Sequence, residues 1–127
     1  MLTFETIPLD SEIGRRELLL EPETVARWRE LFPGDDADGL MPPGMIAVVT
    51  VKAYSDILVP RPPGNVHGEQ RFEMIRLPRV GERLLTRLSC VSKERKGERR
   101  WVRFLTETTD AAGDACFRGL MTVLWAA

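Results

Sequence analysis

Met41-Pro42-Pro43-Gly44-Met45-Ile46-Ala47-Val48-Val49-Thr50-Val51-Lys52-Ala53-Tyr54-Ser55-Asp56-Ile57-Leu58 is the stretch whose conformation settles the architecture. Its middle, Ile46 to Val51, is rich in β-branched residues and taken alone favours a strand, because such side chains suit a pleated surface. The wider window favours a helix. Proline stands at its entrance, Pro60 lies just past its end, and apolar or small residues fall on every side, as in a helix buried all round. The reading adopted is a central buried helix over about residues 43–58.

Upstream, Arg16 to Leu20 has the character of a short strand and leads into Glu21-Pro22-Glu23-Thr24, a helix start. Proline is tolerated in the first turn, where its missing N–H has no partner, and acidic residues there face the positive end of the helix dipole. Val25, Trp28, Leu31 and Phe32 recur at helical spacing and predict one apolar face, closed by Pro33-Gly34. A loop rich in Asp and Gly, residues 34–40, then reaches the central segment.

Downstream of the Pro- and Gly-rich linker at 60–64 the period changes to two. Phe72 and Met74 alternate with Arg71 and Glu73, and Leu84, Leu88 and Cys90 share a face. Val102, Phe104, Thr106 and Thr108 share another, and Phe117, Met121, Val123 and Trp125 form a last alternating run. Polar turns at Glu94–Glu98 and Asp110–Asp114 join these into an antiparallel meander. A buried helix followed by a meander long enough to curl round it gives an α+β class, in the hot-dog arrangement of a sheet wrapped about one helix.

Composition sets the outer bounds. A chain of 127 residues suits a single domain, 1–127. Hydrophobic residues at 43% and charged residues at 29% are those of a folded protein rather than a disordered one. Eighteen basic against nineteen acidic residues leave a formal charge of −1, which argues against nucleic acid or an anionic membrane as a partner. Cys90 and Cys116 sit in apolar runs without metal-ligand spacing and read as reduced core thiols, so neither a metal nor another cofactor is called for. Residues 1–10 lack the basic-then-apolar pattern of an export signal, and no apolar run approaches the roughly 20 residues of a membrane span, so a cytoplasmic location is expected.

Several motifs resemble those of the MaoC-like dehydratases and hydratases. The run Arg61-Pro62-Pro63-Gly64-Asn65-Val66-His67-Gly68-Glu69-Gln70-Arg71-Phe72-Glu73, followed by Leu77-Pro78-Arg79-Val80-Gly81-Glu82-Arg83-Leu84, is similar to the segment after that family's central helix, where a strand bearing Phe precedes a Pro-x-x-Gly-[Asp/Glu] turn. The ending Gly119-Leu120-Met121-Thr122-Val123-Leu124-Trp125 resembles its final strand. The helix entrance Met41-Pro42-Pro43-Gly44-Met45-Ile46-Ala47 resembles that of the FAS1-like, or MaoC N-terminal, dehydratase domains. The resemblance runs from about Gly14 to the C-terminus.

It implies a subunit acting on acyl-CoA or acyl-carrier-protein thioesters, working as a homodimer or as a heterodimer with a catalytic MaoC-like chain. Hydration of an enoyl thioester needs an acid or base at the α-carbon and donors for the developing enolate oxygen. Catalytic members of the family draw on an Asp, a His five residues later and a Gly at the helix start. Here Asp35 or Asp36 matches the Asp, but the positions five further on are Leu40 and Met41. The sole histidine, His67, lies beyond the central helix and is either a turn residue or a group approaching the site from the linker side. Pro43, Gly44, Met45 and Val48 read either as acyl-binding residues, with first-turn N–H groups turned toward a thioester oxygen, or only as the start of a helix packed tightly in the sheet. The Asp35-Asp36-Asp38 loop reads either as the source of a general base or as a solvated loop. Lys93, Arg95, Lys96, Arg99 and Arg100 read either as a phosphate patch or as a soluble hairpin tip. Two further functions stay open: a hot-dog thioesterase using Asp36, and a non-catalytic dimer that binds an acyl chain or a protein.

Overall fold

The structure is a computed structural model describing residues 1–127. Strand β1 (Glu12–Leu19) is followed by helix α1 (Pro22–Leu31), a 3-10 turn at Pro43–Met45 and the central helix α2 (Ile46–Ile57). Strands β2 (Val66–Met74), β3 (Arg83–Lys96), β4 (Arg99–Thr109) and β5 (Ala115–Trp125) complete the chain. All pairings are antiparallel, in the order β1-β3-β4-β5-β2, so β1 and β2 are the two edges. Residues 43–57 are helical, as the punctuation of the window predicts, with Leu58 as the cap, and the β-branched run at its centre packs against the sheet rather than joining it. No helix is long and apolar enough to cross a membrane.

Alternation decides which side of the sheet α2 covers. Leu84, Thr86, Leu88 and Cys90 of β3, Val102, Phe104, Thr106 and Thr108 of β4, and Phe117, Met121, Val123 and Trp125 of β5 all turn inward and are buried. From α2 they meet Ile46, Val49, Thr50 and Ala53. The apolar interior forms two clusters, one at each end of α2. Met45, Ile46, Val49, Cys116 and Phe117 lie at its N-terminal end with Leu20 and Val25. Leu58, Leu88, Val102, Phe104, Val123 and Trp125 lie at its C-terminal end with Phe4 and Ile7. Thr50, Thr86, Thr106 and Thr108 are buried as well, and their hydroxyls are satisfied locally. Thr86 and Thr108 share a 2.7 Å hydrogen bond, and Thr50 donates to the Ile46 carbonyl at 2.8 Å.

The apolar face expected of α1 is only partly used. Val25 is buried and Trp28 half-buried, whereas Leu31 and Phe32 stay exposed at 73% and 49%. The helix ends at Leu31, and the chain turns away before those two side chains can reach the core. Phe32 instead stacks on Trp28, with ring centroids 4.5 Å apart. The loop after α1 is anchored to the Pro-x-x-Gly turn: Met41 N–H donates to the Pro78 carbonyl at 2.8 Å and Val80 N–H to the Gly39 carbonyl at 3.1 Å. Gly81, at φ 91°, adopts a backbone conformation suited to glycine, and its N–H reaches the Leu20 carbonyl at 2.7 Å. These ties fix the acidic loop against the entrance of α2.

Candidate functional site

Of the three loop carboxylates, the structure brings Asp35 to the helix entrance. Its Oδ2 accepts the Gly44 N–H at 2.8 Å and the Trp28 indole Nε1–H at 2.8 Å. Because Gly44 has no side chain, the carboxylate can sit there: a Cβ at that position would stand 2.5 Å from Asp35 Oδ2 and 2.9 Å from Trp28 Cζ2. Trp28 comes from α1 and Gly44 from the 3-10 turn, so Asp35 ties two helical elements together. Its second oxygen, Oδ1, makes no hydrogen bond within the chain.

The other first-turn donors are engaged as well. Met45 N–H donates to the Pro42 carbonyl at 3.0 Å, and Ile46 N–H is directed at the Pro43 and Gly44 carbonyls. Pro43 has none to give. The entrance of α2 therefore binds oxygen, as a helix N-terminus should, and the oxygen it holds is the chain's own.

The remaining sequence candidates scatter. Asp36 points away from α2 and pairs with Arg29 at 2.7 Å on the surface. Asp38 is exposed. Met45 is buried in the N-terminal cluster, and Val48 lies at the surface of α2 with 37% of its area exposed. His67 is exposed on edge strand β2 beside Val123, which belongs to the cluster at the C-terminal end of α2. Twelve residues of helix, about 18 Å at 1.5 Å per residue, lie between that end and Asp35. Within one chain His67 does not meet the loop carboxylates.

The basic hairpin is largely committed to structure. Lys93 Nζ donates to the Phe4 and Ile7 carbonyls at 2.8 and 2.9 Å, Arg95 pairs with Glu5 at 2.6 Å, and Arg100 donates to the Ala126 carbonyl at 3.1 Å. The Lys93 and Arg95 contacts hold the N-terminal segment over the core and the Arg100 contact holds the last strand's end, leaving Lys96 and Arg99 at the tip. Both cysteines are buried and free, and burial pushes their thiols up from the ordinary value, away from the thiolate a nucleophile needs. No group of three or more His, Cys, Asp or Glu side chains is placed to hold a metal.

A five-stranded antiparallel sheet wrapped over one central helix, with the acidic loop and Gly at the helix entrance, defines a hot-dog fold, and comparison with solved structures shows the same. The MaoC-like dehydratase from Rhodospirillum rubrum superposes with a TM-score of 0.84 at 12% identity, over 100% of this chain and 99% of that one. A thioesterase from Thermus thermophilus, complexed with coenzyme A and Zn, matches at TM-score 0.69 and 14% identity, over 94% of this chain and 83% of that one. The C-terminally truncated HadBC (3R-hydroxyacyl-ACP dehydratase) complex from Mycobacterium tuberculosis matches at 0.68 and 16%, over 91% and 99%. No protein-family model and no curated protein sequence matches the chain. Structural neighbours are thus MaoC-like dehydratases and other hot-dog proteins, and at these identities the likeness is one of fold.

Proposed function

We propose that this chain is an acyl-thioester-handling hot-dog subunit of the dehydratase/hydratase type, incomplete alone, whose site is shared with a second protomer in the cytoplasm. The observation that carries the reading is the seating of Asp35. The acid–base pair that such chemistry needs is represented at the helix entrance by one carboxylate, anchored through Oδ2 and open at Oδ1, with nothing from the same chain to serve as its second member. Pro43 and Gly44 at the helix entrance and Val48 on the exposed side of α2 are where an acyl thioester would lie, with Met45 buried behind them. Its carbonyl reaches the Gly44 N–H only if Asp35 yields that donor. An acyl-CoA or acyl-carrier-protein thioester as substrate is supported by the coenzyme A and the hydroxyacyl-ACP named for two of the structural neighbours.

The test is crotonyl-CoA hydration by the purified chain across its oligomeric states, and by the chain co-expressed with a catalytic MaoC-like chain. Turnover is expected only from an assembled oligomer, and Asp35→Asn should lower it about 100-fold, within the range for a lost acid–base group. Turnover by a dilute monomer would refute the shared site, and none in any assembly would refute the dehydratase/hydratase reading. Hot-dog thioesterase action is the second reading, favoured by a carboxylate at the helix start. The sequence names Asp36 for that role; its pairing with Arg29 and the seating of Asp35 on the Gly44 N–H favour Asp35 in its place. Release of free thiol from acyl-CoA, abolished by Asp35→Asn, would support it.

A further inference from the structure

The outer face of the sheet, turned away from α2 and from Asp35, carries a hollow of about 230 Å³. Its floor is one row of directly opposed residues, Glu69 of β2, Thr122 of β5, Arg103 of β4 and Ser92 of β3. Val102 and Phe104 turn inward and are buried, so Trp101 and Arg103, which alternate with them, face out into the hollow. The two strands that frame it are both bulged at this level, β2 at Gly68 and β3 at Val91. A bulge bends its strand and re-aims its side chains, so the sheet is bent on both sides of the same row.

Trp101 lies flat in this hollow. It is rooted on β4 yet touches β2, two strands away: a Cβ at Gly68 would stand 3.3 Å from its Cζ3 and 3.8 Å from its Cη2. With strands about 4.8 Å apart, an indole that spans β5 must lie along the sheet, one face down on it and the other turned to solvent. The charges beside it are unequal. Arg15, Arg71, Arg87 and Arg118 on the same face each pair with a carboxylate within 3.6 Å, whereas Arg103 pairs with none. Glu69, at one rim, is taken by Arg71 at 2.6 Å, and Glu94, at the other, faces Lys96 at 3.9 Å. The charge left uncompensated is one guanidinium, flanked by the Thr122 and Ser92 hydroxyls, neither of them engaged within the chain.

We infer that this hollow is a second binding site, for a small aromatic carboxylate whose ring stacks on Trp101 and whose carboxylate meets the Arg103 guanidinium. The indole face offers a platform to a planar ring, and the guanidinium fork matches a carboxylate in two parallel hydrogen bonds, with the neighbouring hydroxyls as further donors. Three features set the class of ligand. The volume lies below the roughly 300–1,000 Å³ of pockets for drug-sized molecules, which suits one ring and its acid group. A single free cation between two glutamates suits a monoanion and disfavours a phosphate dianion. Trp101 is the one apolar side chain in the lining, so an aliphatic acyl chain has nothing to lie against. The site is on the opposite side of the sheet from the helix entrance and stands or falls without the thioester chemistry proposed there.

Titration of the full chain with benzoate, followed by proton–nitrogen NMR, tests the site. Benzoate should bind saturably with a Kd of about 1 mM, within what so small a ligand can reach, and should shift the indole N–H signal that Trp101→Leu removes. Arg103 is exposed, so Arg103→Gln leaves the fold in place and should weaken benzoate at least about tenfold, the effect of losing a charged hydrogen-bond partner. Benzamide, the neutral isostere, should weaken to the same degree. Cyclohexanecarboxylate, which keeps the charge and loses the aromatic face, should bind about fivefold more weakly than benzoate, as should benzoate to Trp101→Leu. Shifts centred on Gly44 and Val48, an Arg103→Gln chain that binds as the wild type does, benzamide or inorganic phosphate binding as tightly as benzoate, or no saturation by about 10 mM, ten times the expected Kd, would each overturn the inference.

Discussion

Replacing Asp35 with Ala tests the geometry at the helix entrance directly. The substitution removes the acceptor of two hydrogen bonds, from Gly44 N and Trp28 Nε1, both at 2.8 Å and both partly buried. An orphaned buried donor costs about 1–3 kcal/mol, and losing a helix-capping acceptor typically costs about 1 kcal/mol. Water can reach this half-buried site and replace part of the loss, so the expected destabilisation is about 2–3 kcal/mol, or on the order of 10 °C in Tm. Urea denaturation at neutral pH measures it. Gly44→Ala provides the second arm, because its Cβ would stand 2.5 Å from Asp35 Oδ2 and must expel the carboxylate. The two substitutions break the same contact, so the double variant should cost less than the sum of the singles by at least about 1 kcal/mol. An Asp35→Ala variant within about 0.5 kcal/mol of wild type, the range of a substitution that breaks no such contact, or additive costs in the double variant, would show that the carboxylate does not sit on the entrance of α2.

Two further outcomes follow from the buried interior. Thr86→Val should cost about 1–2 kcal/mol by stranding the Thr108 hydroxyl, whereas Thr86→Val with Thr108→Val should recover most of that stability, since the 2.7 Å pair is then removed whole; equal losses in single and double variants would argue against the bond. Burial also pushes the Cys90 and Cys116 thiols above 9.0 and the Tyr54 phenol above 10.0, so the folded state holds these protons more tightly than the unfolded chain. That contribution is complete below the unfolded values and is lost as pH rises through the folded ones. Urea midpoints should accordingly fall above about pH 9, with a shallower fall in a Cys90→Ala, Cys116→Ala variant; a flat profile would contradict the burial of these groups.

The sequence by itself determined the elements and their order. The central helix was legible because its length and its bounding prolines outweigh the β-branched residues within it, and β3, β4 and β5 were legible because one sheet face is buried and a period of two follows. The functional reading divided differently. That the loop offers carboxylates and no histidine is a fact of the sequence, but which carboxylate matters is not. Asp35 and Asp36 are adjacent and chemically alike, and only the turn after α1 aims one at Gly44 and the other at Arg29. Whether Lys93 and Arg95 belong to a phosphate patch or to a soluble hairpin tip is open in the sequence, because nothing local reveals that the N-terminal segment crosses above them. Leu31 and Phe32 carried the period of a buried face that the end of α1 never brings to the core. Periodicity records how a segment meets its own core and is written in neighbouring residues. The partners of Asp35, the place of His67 and the open edge of β2 depend on contacts between distant segments, and those came only from the tertiary structure.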